Sequence, residues 1–206
     1  MEKTKKRTKR SSYHHGDLRA QLIDAARVLV ERKGADHFSV SEACRIAGVS
    51  TAAPYKHFKD KDEMLHQVAL EGMQRQRAQM IEETAAHPRG TLPRIVALGR
   101  VYLRFAQAEP GVFRLMFGAS EDHAEHEALT NMGEGTFTAV QQEVAWCRGS
   151  DVIEPQDIQQ AFLLWSFVHG LSFLLIDGKL SKMDMVIDTE QVLQDIAHRV
   201  VGTQGA

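Results

Sequence analysis

Residues 48–65, GVSTAAPYKHFKDKDEML, are the most informative segment of this chain. It places two aromatic residues, one histidine and three lysines within positions 55–61, directly after Pro54. A Gly-Val-Ser turn begins the stretch, and a capping box at residues 39–42 predicts a short helix that ends at Gly48. Two short helices joined by a tight glycine-containing turn predict a helix-turn-helix unit, whose second helix lies in the major groove of DNA.

The composition and the patterns along the chain indicate an all-α protein. Hydrophobic residues make up 43% of the 206 residues, which is enough for a packed core and argues against a disordered chain. Runs typical of helices recur, while alternation typical of strands is almost absent. We predict a flexible basic arm over residues 1–16, a three-helix helix-turn-helix domain over 17–66 and a larger helical domain over 67–206.

Capping signals and chain breaks place the individual helices. Asp17 favours the start of a first helix that runs to residue 33, and a second capping box at residues 60–63 opens a long helix that reaches about residue 84. A His-Pro-Arg-Gly break follows this helix. The later helices are predicted over 91–109, 111–118, a segment that ends near residue 148, 155–177 and 189–201.

The net charge of −2 conceals an asymmetry between the two ends of the chain. Residues 1–66 contain fourteen Lys and Arg against nine Asp and Glu, a net charge of +5. The remaining residues contain eleven against eighteen, a net charge of −7. The N-terminal part therefore suits a polyanion and the rest repels it. Whether the basic arm itself contacts DNA stays open.

Several patterns bear on the compartment. Two cysteines, Cys44 and Cys147, predict neither a disulfide framework nor a structural zinc site and fit a reducing cytoplasm; Cys44 is expected to be a small buried residue. The N-terminus lacks the apolar segment of a signal peptide. The most apolar run, residues 162–176, is interpreted as too short to cross a bilayer. We predict a soluble, cytoplasmic protein without membrane contact.

The leading end of the second helix carries side chains that can read bases. If Thr51 caps this helix, Pro54 lies in its first turn, where a missing N–H is tolerated. Thr51, Ala52 and Lys56 then lie on the leading end and the solvent face. Lysine can donate to guanine, and the methyl groups of threonine and alanine can contact the thymine methyl group. We therefore predict that these three residues contact bases.

Other side chains of the same segment suit the DNA backbone. Tyr55, His57 and Lys61 carry hydrogen-bond donors for phosphate oxygens. Lys61 also lies at a helix N-terminus, whose free N–H groups attract anions. Phe58 and Val49 are predicted to fill the small core beneath. Tyr55 could be a core residue or a DNA contact, and we predict a packed ring with an outward hydroxyl group.

With these residues the chain resembles the TetR family of transcriptional regulators. The resemblance is carried by SVSEACRIAGVSTAAPYKHFKDKDEML, residues 39–65, and by the first-helix run LIDAARVLVERKG, residues 22–34. The segments YHHGDLR, PGVFRLMFG and WSFVHG resemble the branch whose C-terminal domain is named for a Trp/His-Gly signature. The resemblance covers most of the chain and is weaker beyond residue 66.

The resemblance implies a homodimer that binds a palindromic double-stranded DNA operator through two such heads. In the family, residues at the positions of Tyr55, His57 and Lys61 contact phosphate, as does the residue at Ser39, and the three base-contacting positions named above commonly meet bases. Ala53 replaces a hydroxyl-bearing residue of other members, which puts one backbone contact in doubt. Two adjacent alanines predict little direct hydrogen-bond readout, so that DNA shape contributes more.

The C-terminal half contains more aromatic residues than a slim helical bundle needs. Core packing is the default for each one, but together they predict an apolar pocket, and in the family the corresponding domain binds a small effector. His169 could be a hydrogen-bonded core histidine or a ligand contact. The candidate effector-pocket residues are Tyr102, Phe105, Phe113, Met116, Phe117, Phe137, Trp165 and His169.

The last two predicted helices are candidates for the dimer interface. The run QQAFLLWSFVHGLSFLLI, residues 159–176, is apolar nearly all round, so it is expected to be buried on more than one side. Small residues within it would let another helix approach closely. Together with residues 189–201, it suits the four-helix dimer interface found in the family.

We therefore predict a dimeric, ligand-responsive DNA-binding regulator, most simply a repressor that an unidentified effector releases from its operator. The alternative is an effector-free or nucleoid-associated DNA-binding protein whose C-terminal domain only dimerises or recruits partners. An enzyme is not supported by any nucleophile–base pair or glycine-rich phosphate loop. No cofactor or metal is predicted, because the histidine pairs at 14–15 and 123–126 lack the setting of a metal site.

Overall fold

The computed structural model describes residues 18–118 and 127–202. These residues form nine α-helices and no β-strand, which confirms the predicted all-α class. The helices are α1 (Leu18–Lys33), α2 (Val40–Ala47), α3 (Lys61–Ala85), α4 (Leu92–Ala108), α5 (Pro110–Phe117), α6 (Glu127–Cys147), α7 (Pro155–Ile176), α8 (Lys179–Lys182) and α9 (Thr189–Val201). The predicted arm, 1–16, the predicted helix start at Asp17 and the histidines at 123 and 126 lie outside the described residues.

The N-terminal helices bury a common apolar face. We call residues 18–66 the head. In α1, Leu22, Ala26 and Val30 are fully buried, and this helix packs on α2, α3 and α5. Cys44 of α2 is buried as predicted, and burial raises the pKa of its thiol. Phe58 closes the head core at 3% exposure, which also agrees with its predicted core position.

The first capping box forms differently from its prediction. Ser39 precedes α2 as its N-cap, but its side chain makes no capping hydrogen bond. The carboxylate of Glu42 instead accepts both of its bonds from Nζ of Lys33, at 2.7 and 2.9 Å. The ammonium group of Lys33 is the stronger, charge-assisted donor for this carboxylate. Gly48 ends the helix as predicted, with a positive φ of 70° that favours glycine.

The second capping box starts α3 as predicted. A side-chain oxygen of Asp60 accepts a hydrogen bond from the backbone N–H of Glu63 at 2.8 Å. The carboxylate of Glu63 reaches back one residue further than expected and accepts from the N–H of Lys59. The long helix then continues to Ala85, close to the predicted end.

The larger C-terminal part is organised around α4, which packs against α3, α7 and α9. Arg100 of α4 ties two of these neighbours together, since its guanidinium group donates to Glu83 of α3 at 3.0 Å and to Glu190 of α9 at 2.6 Å. At the start of α7, the fully buried Asp157 accepts from Arg148 at 2.8 Å. That guanidinium lowers the pKa of the Asp157 carboxyl group, which keeps the buried pair ionised.

Helix α7 ends one residue before its predicted end, residue 177. The apolar run 162–176 is part of this 22-residue helix, which as a whole is long and apolar enough to cross a bilayer by length and composition alone. Buried helices of water-soluble proteins meet the same criterion, and α7 packs against α4, α6 and α9. The short helix α8 was not predicted, because its four residues leave no periodicity to detect.

Candidate nucleic-acid interface and effector cavity

The segment after the Gly48 turn is a single 3₁₀ turn, Pro54–Lys56, and not the α-helix that was predicted. Backbone N–H groups donate to the residue three positions back, from Ala53 N to Ser50 O at 3.0 Å and from His57 N to Pro54 O at 2.8 Å, and Phe58 N closes the turn with a bond to Pro54 O at 2.9 Å. The N-cap of this turn is Ala53 instead of the predicted Thr51. Pro54 follows the N-cap as the first residue of the turn, where its lack of an N–H group is tolerated. We call residues 51–57 the recognition segment.

The recognition segment presents a nearly continuous polar surface. Most of the predicted DNA-contacting side chains are exposed, while Ala53 and Lys61 are half-buried. Tyr55 is 66% exposed, so the prediction that its ring would pack was wrong. In a single 3₁₀ turn only one side faces the protein, and buried Pro54 occupies it. The exposed residues are Ser39, Thr51, Ala52, Tyr55, Lys56 and His57.

Lys61 is the first residue of α3, so its ammonium group lies near the positive end of the helix dipole. Its Nζ atom is 6.0 Å from the ring centroid of buried Phe38, which holds the side chain against the head. The guanidinium carbon of Arg19 lies 5.3 Å from the Phe58 ring centroid. Two cationic side chains of the head thus lie over rings of its aromatic core.

A cavity of about 400 Å³ lies between α3, α4, α5, α6, α7 and α9. Its wall is almost entirely apolar. Five of the eight predicted pocket residues line it: Tyr102, Met116, Phe117, Phe137 and Trp165. Phe105 and Phe113 do not line it, because both are fully buried in the core behind the wall.

His169 lies behind the cavity wall, in a hydrogen-bonded group of aromatic side chains. Nε1 of Trp165 donates to the hydroxyl oxygen of Tyr102 at 3.2 Å, and this hydroxyl group lies 2.9 Å from Nδ1 of His169. Tyrosine can therefore donate its proton to an unprotonated Nδ1. Burial lowers the pKa of His169 and raises that of Tyr102, so both side chains are held neutral.

Two family models match separate parts of the chain. The model for bacterial regulatory proteins of the tetR family matches residues 22–68, and the model for the tetracyclin repressor-like C-terminal domain matches residues 95–200. The chain belongs to the TetR family. It is a helix-turn-helix regulator with the C-terminal domain that typically binds ligands in this family, and its members bind DNA and dimerise. TetR regulators are generally not enzymes. The narrower resemblance to the Trp/His-Gly branch stays a prediction.

The chain is also similar to individual TetR-fold proteins. The nucleoid occlusion factor SlmA of Idiomarina loihiensis is 26% identical over 164 residues, which cover 80% of this chain and 82% of that protein. SlmA of Aliivibrio fischeri is 30% identical over 101 residues, about half of each chain (48% and 51%).

Solved structures share the fold over almost the whole length. A protein of unknown function from Rhodococcus sp. RHA1 has 26% identity and a TM-score of 0.77, with 93% of this chain and 100% of that chain covered. A TetR family protein from Vibrio parahaemolyticus has 17% identity and a TM-score of 0.68, with 90% and 98% covered.

Sequence reasoning missed the contribution of α3 to the cavity of this TetR protein. Met73, Gln76 and Met80 of α3 line it. They recur at spacings of three and four residues, so they share one face of the helix. The detectable signal was a glutamine between two methionines on that face, which is unusual for a buried stripe.

Helix α7 exposes large apolar side chains that nothing within the described chain covers. Ile158, Phe162, Leu163 and Leu174 are between 44% and 52% exposed. An exposed apolar strip of this kind on a regulator that dimerises is typical of a subunit interface. Within the ranges 18–118 and 127–202, no group of three or more His, Cys, Asp or Glu residues could hold a metal ion.

Proposed function

We propose that this protein is a homodimeric repressor that an effector bound in the cavity releases from a palindromic operator. The observation that carries the proposal is the course of α3. This helix begins at Lys61, beside the recognition segment, and its residues Met73, Gln76 and Met80 line the cavity. Because an α-helix rises 1.5 Å per residue, about 22 Å of continuous helix separates Lys61 from Gln76. A shift of the helix at the cavity therefore moves the head.

A second connection runs through α1 and α5. Helix α5 contributes Met116 and Phe117 to the cavity, and its first turn is bonded to Glu31 near the end of α1. The head is thus attached to the cavity wall at two points. An effector that fits one arrangement of this wall better than the other shifts the position of the head, provided that its affinities for the two arrangements differ.

The exposed strip on α7 supports dimerisation through α7 and α9. Both helices also form the cavity wall, through Val168 of α7 and through Leu193 and Ala197 of α9. The two heads of such a dimer must reach half-sites about 34–36 Å apart. A small change in head separation therefore weakens both contacts together.

Within each head we assign roles by exposure and chemistry. Thr51, Ala52 and Lys56, which are exposed, are assigned to base edges because their side chains offer a donor or methyl groups. The donors of Tyr55 and His57 suit phosphate oxygens, as does Lys61 at the start of α3. Ser39 and Ala53 are assigned to the same DNA interface by the resemblance to the family. As a DNA-binding regulator, the protein is expected in the cytoplasm.

The operator can be found by fluorescence anisotropy with duplexes that tile the DNA upstream of the coding region, each against a scrambled duplex at several salt concentrations. We expect one tile to bind tightly at moderate salt and to be released by the effector. If all tiles bind equally and dissociate together as salt rises, only phosphate contacts are present, and the repressor function is wrong.

The similarity to SlmA favours a second candidate, an effector-free DNA-binding protein that acts at the nucleoid. In this case, the C-terminal domain would only dimerise or recruit a protein partner. The two candidates differ in the role of the cavity. In the repressor a ligand bound there changes the affinity for DNA, whereas the effector-free protein needs no such ligand. Thermal shift with small apolar compounds separates them: a raised melting temperature together with release of DNA supports the repressor, and DNA binding that no bound compound changes supports the second candidate.

A further inference from the structure

Gln76 of α3 presents an unpartnered hydrogen-bond acceptor at the cavity. The residue lines the cavity wall and is 4% exposed. Its Nε2 atom is buried without accessible surface, whereas Oε1 retains accessible surface and has no hydrogen-bond partner within the described residues. A carbonyl oxygen in an apolar wall is stabilised when it accepts a hydrogen bond, so native proteins rarely leave one unpaired. The accessible side of this amide is therefore suited to a ligand that donates a hydrogen bond.

A carboxylate lines the same region of the cavity. Glu134 of α6 is exposed, so it lies where the cavity opens to solvent, and it pairs with no cationic side chain within the described residues. Arg77 follows Gln76 on α3. Its Nη1 atom lies 3.7 Å from the sulfur of Met132 and would lie 3.5 Å from a Cβ atom on Gly135. The turn of α3 that carries Gln76 therefore faces the turn of α6 that carries Glu134.

The wall of the cavity favours a positive charge over a negative one. No lysine or arginine lines it among the described residues, so a bound carboxylate would lose hydration without gaining a counter-ion. Phe137 lies one helical turn after Glu134, and its ring centroid is 5.7 Å from that of Trp165. The faces of such rings attract cations. Arg77, which does not line the cavity, adds a positive charge nearby, so the attraction of Glu134 for a cation is expected to be modest.

We propose that the effector is an amphiphilic amine, an apolar molecule with one ammonium group at its end. The ammonium group donates a hydrogen bond to Oε1 of Gln76 and lies beside Glu134 and the ring of Phe137, while the apolar body fills the space against Met73. Because Glu134 is exposed, the ammonium group stays near solvent and keeps part of its hydration. A volume of about 400 Å³ suits a small organic molecule. This assignment rests on the proposed effector-responsive function and specifies its ligand class.

Four probes with the same phenyl ring and four-carbon chain test the assignment: phenylbutylamine, phenylbutanol, butylbenzene and phenylbutanoate. Calorimetric titration of the full chain at neutral pH measures each affinity. We expect phenylbutanol to bind about fivefold more tightly than butylbenzene, because its hydroxyl group satisfies Oε1. Phenylbutylamine should bind about fivefold more tightly than phenylbutanol through a charge-assisted bond, and phenylbutanoate more weakly than phenylbutanol. Rising salt should reduce the advantage of the amine over the alcohol, since Glu134 is exposed and screened.

The variant Gln76→Met removes the acceptor and keeps an unbranched side chain of similar length. It should lower the affinity for phenylbutanol about fivefold, to that for butylbenzene, and leave the affinity for butylbenzene unchanged. The melting temperature of the free variant should not fall, since an unpartnered polar group has been removed. Met73→Leu, an apolar exchange in the same wall, is the matched control and should affect all probes by the same factor.

The variant Glu134→Gln removes the negative charge and keeps the size of the side chain. It should lower the affinity for phenylbutylamine by about two- to fivefold, the range of an exposed ion pair, and leave the affinity for phenylbutanol unchanged. Glu127→Gln is the matched control, because it makes the same change in net charge at an exposed residue of α6 that does not line the cavity. It should leave all four affinities unchanged.

Four results would overturn the assignment: no binding of phenylbutylamine, equal binding of phenylbutanol and butylbenzene, binding of phenylbutanoate as tight as that of phenylbutylamine, or an equal effect of Glu134→Gln on the amine and the alcohol. The proposed function is judged separately by DNA release. If phenylbutylamine binds as expected but leaves the affinity for the operator unchanged, the ligand class stands and the repressor function loses its support. If phenylbutanoate or butylbenzene binds more tightly than the amine and releases DNA, the repressor function stands and the amine assignment is wrong.

Discussion

The carboxylate of Glu31 accepts hydrogen bonds from the backbone N–H groups of Gly111 and Val112, at 2.9 and 2.8 Å. It thereby caps α5 with a negative charge at the positive end of the helix dipole. The two segments are so close that a Cβ atom on Gly111 would lie 2.6 Å from the carbonyl oxygen of Val30. Eighty residues apart in sequence, Glu31 and Gly111 join the head to the helix that carries Met116 and Phe117 into the cavity wall.

Replacing Glu31 by alanine should weaken this joint. The two N–H groups of α5 would lose a charged acceptor, so the free energy of unfolding should fall by about 1.5–3 kcal/mol. The effect of an effector on DNA affinity should decrease as well, because one of the two connections between head and cavity is lost. Chemical denaturation and DNA titration with and without ligand measure these effects. Glu82→Ala, at an exposed position of α3, is the control and should change stability by less than about 0.5 kcal/mol. Equal effects of the two variants would contradict the role of Glu31.

The local signals of the sequence were sufficient for most helices but not for their contacts. Gly48 and Asp60 mark helix ends through backbone conformation and capping, which depend on neighbouring residues only, and both signals were read correctly. The bond between Lys33 and Glu42 joins residues nine apart across a turn, so the local pattern gave the capping box instead. The bonds of Glu31 to α5 are more distant still and leave no local signal.

The cavity and the recognition segment could be predicted only in part, again because the sequence shows local patterns and not contacts between distant residues. Aromatic residues identified the side of the domain that holds the cavity, since apolar side chains must be buried somewhere. Periodicity does not distinguish a residue that lines a cavity from one that lies behind it, so Phe105 and Phe113 were included while Met73 and Gln76 were missed. The 3₁₀ turn at Pro54 was taken for a helix because both place proline in the first turn.

Lys56→Ala tests the prediction that Lys56 contacts a base. Lys56 is exposed within the 3₁₀ turn, and its ammonium group can donate to guanine. Its removal should relax the preference at one position of each half-site by about 1–3 kcal/mol and leave the other positions unchanged. Binding to a library of singly substituted operators measures this profile. An unchanged profile would exclude Lys56 from the base-reading set.

Tyr55→Phe tests the prediction that the hydroxyl group of Tyr55 contacts a DNA phosphate. The side chain is 66% exposed, so loss of the hydroxyl group should leave the fold intact and remove one donor to the DNA backbone. Because phosphate contacts carry no sequence information, affinity should fall by a similar factor for operator and scrambled duplexes. Anisotropy titrations with both duplexes compare the two. A change in base preference instead would mean that Tyr55 contacts a base.

Phe162→Glu tests the dimer interface. Phe162 is 52% exposed on α7, and a carboxylate there would lose hydration when a second α7 covers it. We expect a folded monomer that binds the full operator much more weakly than the wild type does, since a monomer has a single head and can bind only one half-site at a time. Light scattering measures the mass of each variant in solution. Val186→Glu, at a fully exposed residue outside the helices, is the control. If the Phe162 variant stays a dimer, the interface lies elsewhere.

His169 should make the stability of the protein depend on pH. Burial among the rings of α4, α5 and α7 lowers its pKa from the ordinary value of about 6.5. The unfolded chain therefore takes up a proton at this residue at a pH where the folded chain does not. Its contribution to stability is complete above about pH 6.5 and is lost as the pH falls from there toward the lower pKa of the folded state.

His169→Asn removes the titrating group and offers Tyr102 another acceptor, so the free energy of unfolding should fall less in the variant than in the wild type between about pH 7.5 and 5.5. Parallel denaturation curves at each pH compare the two proteins, and an identical pH dependence would show that His169 titrates alike in the folded and unfolded states.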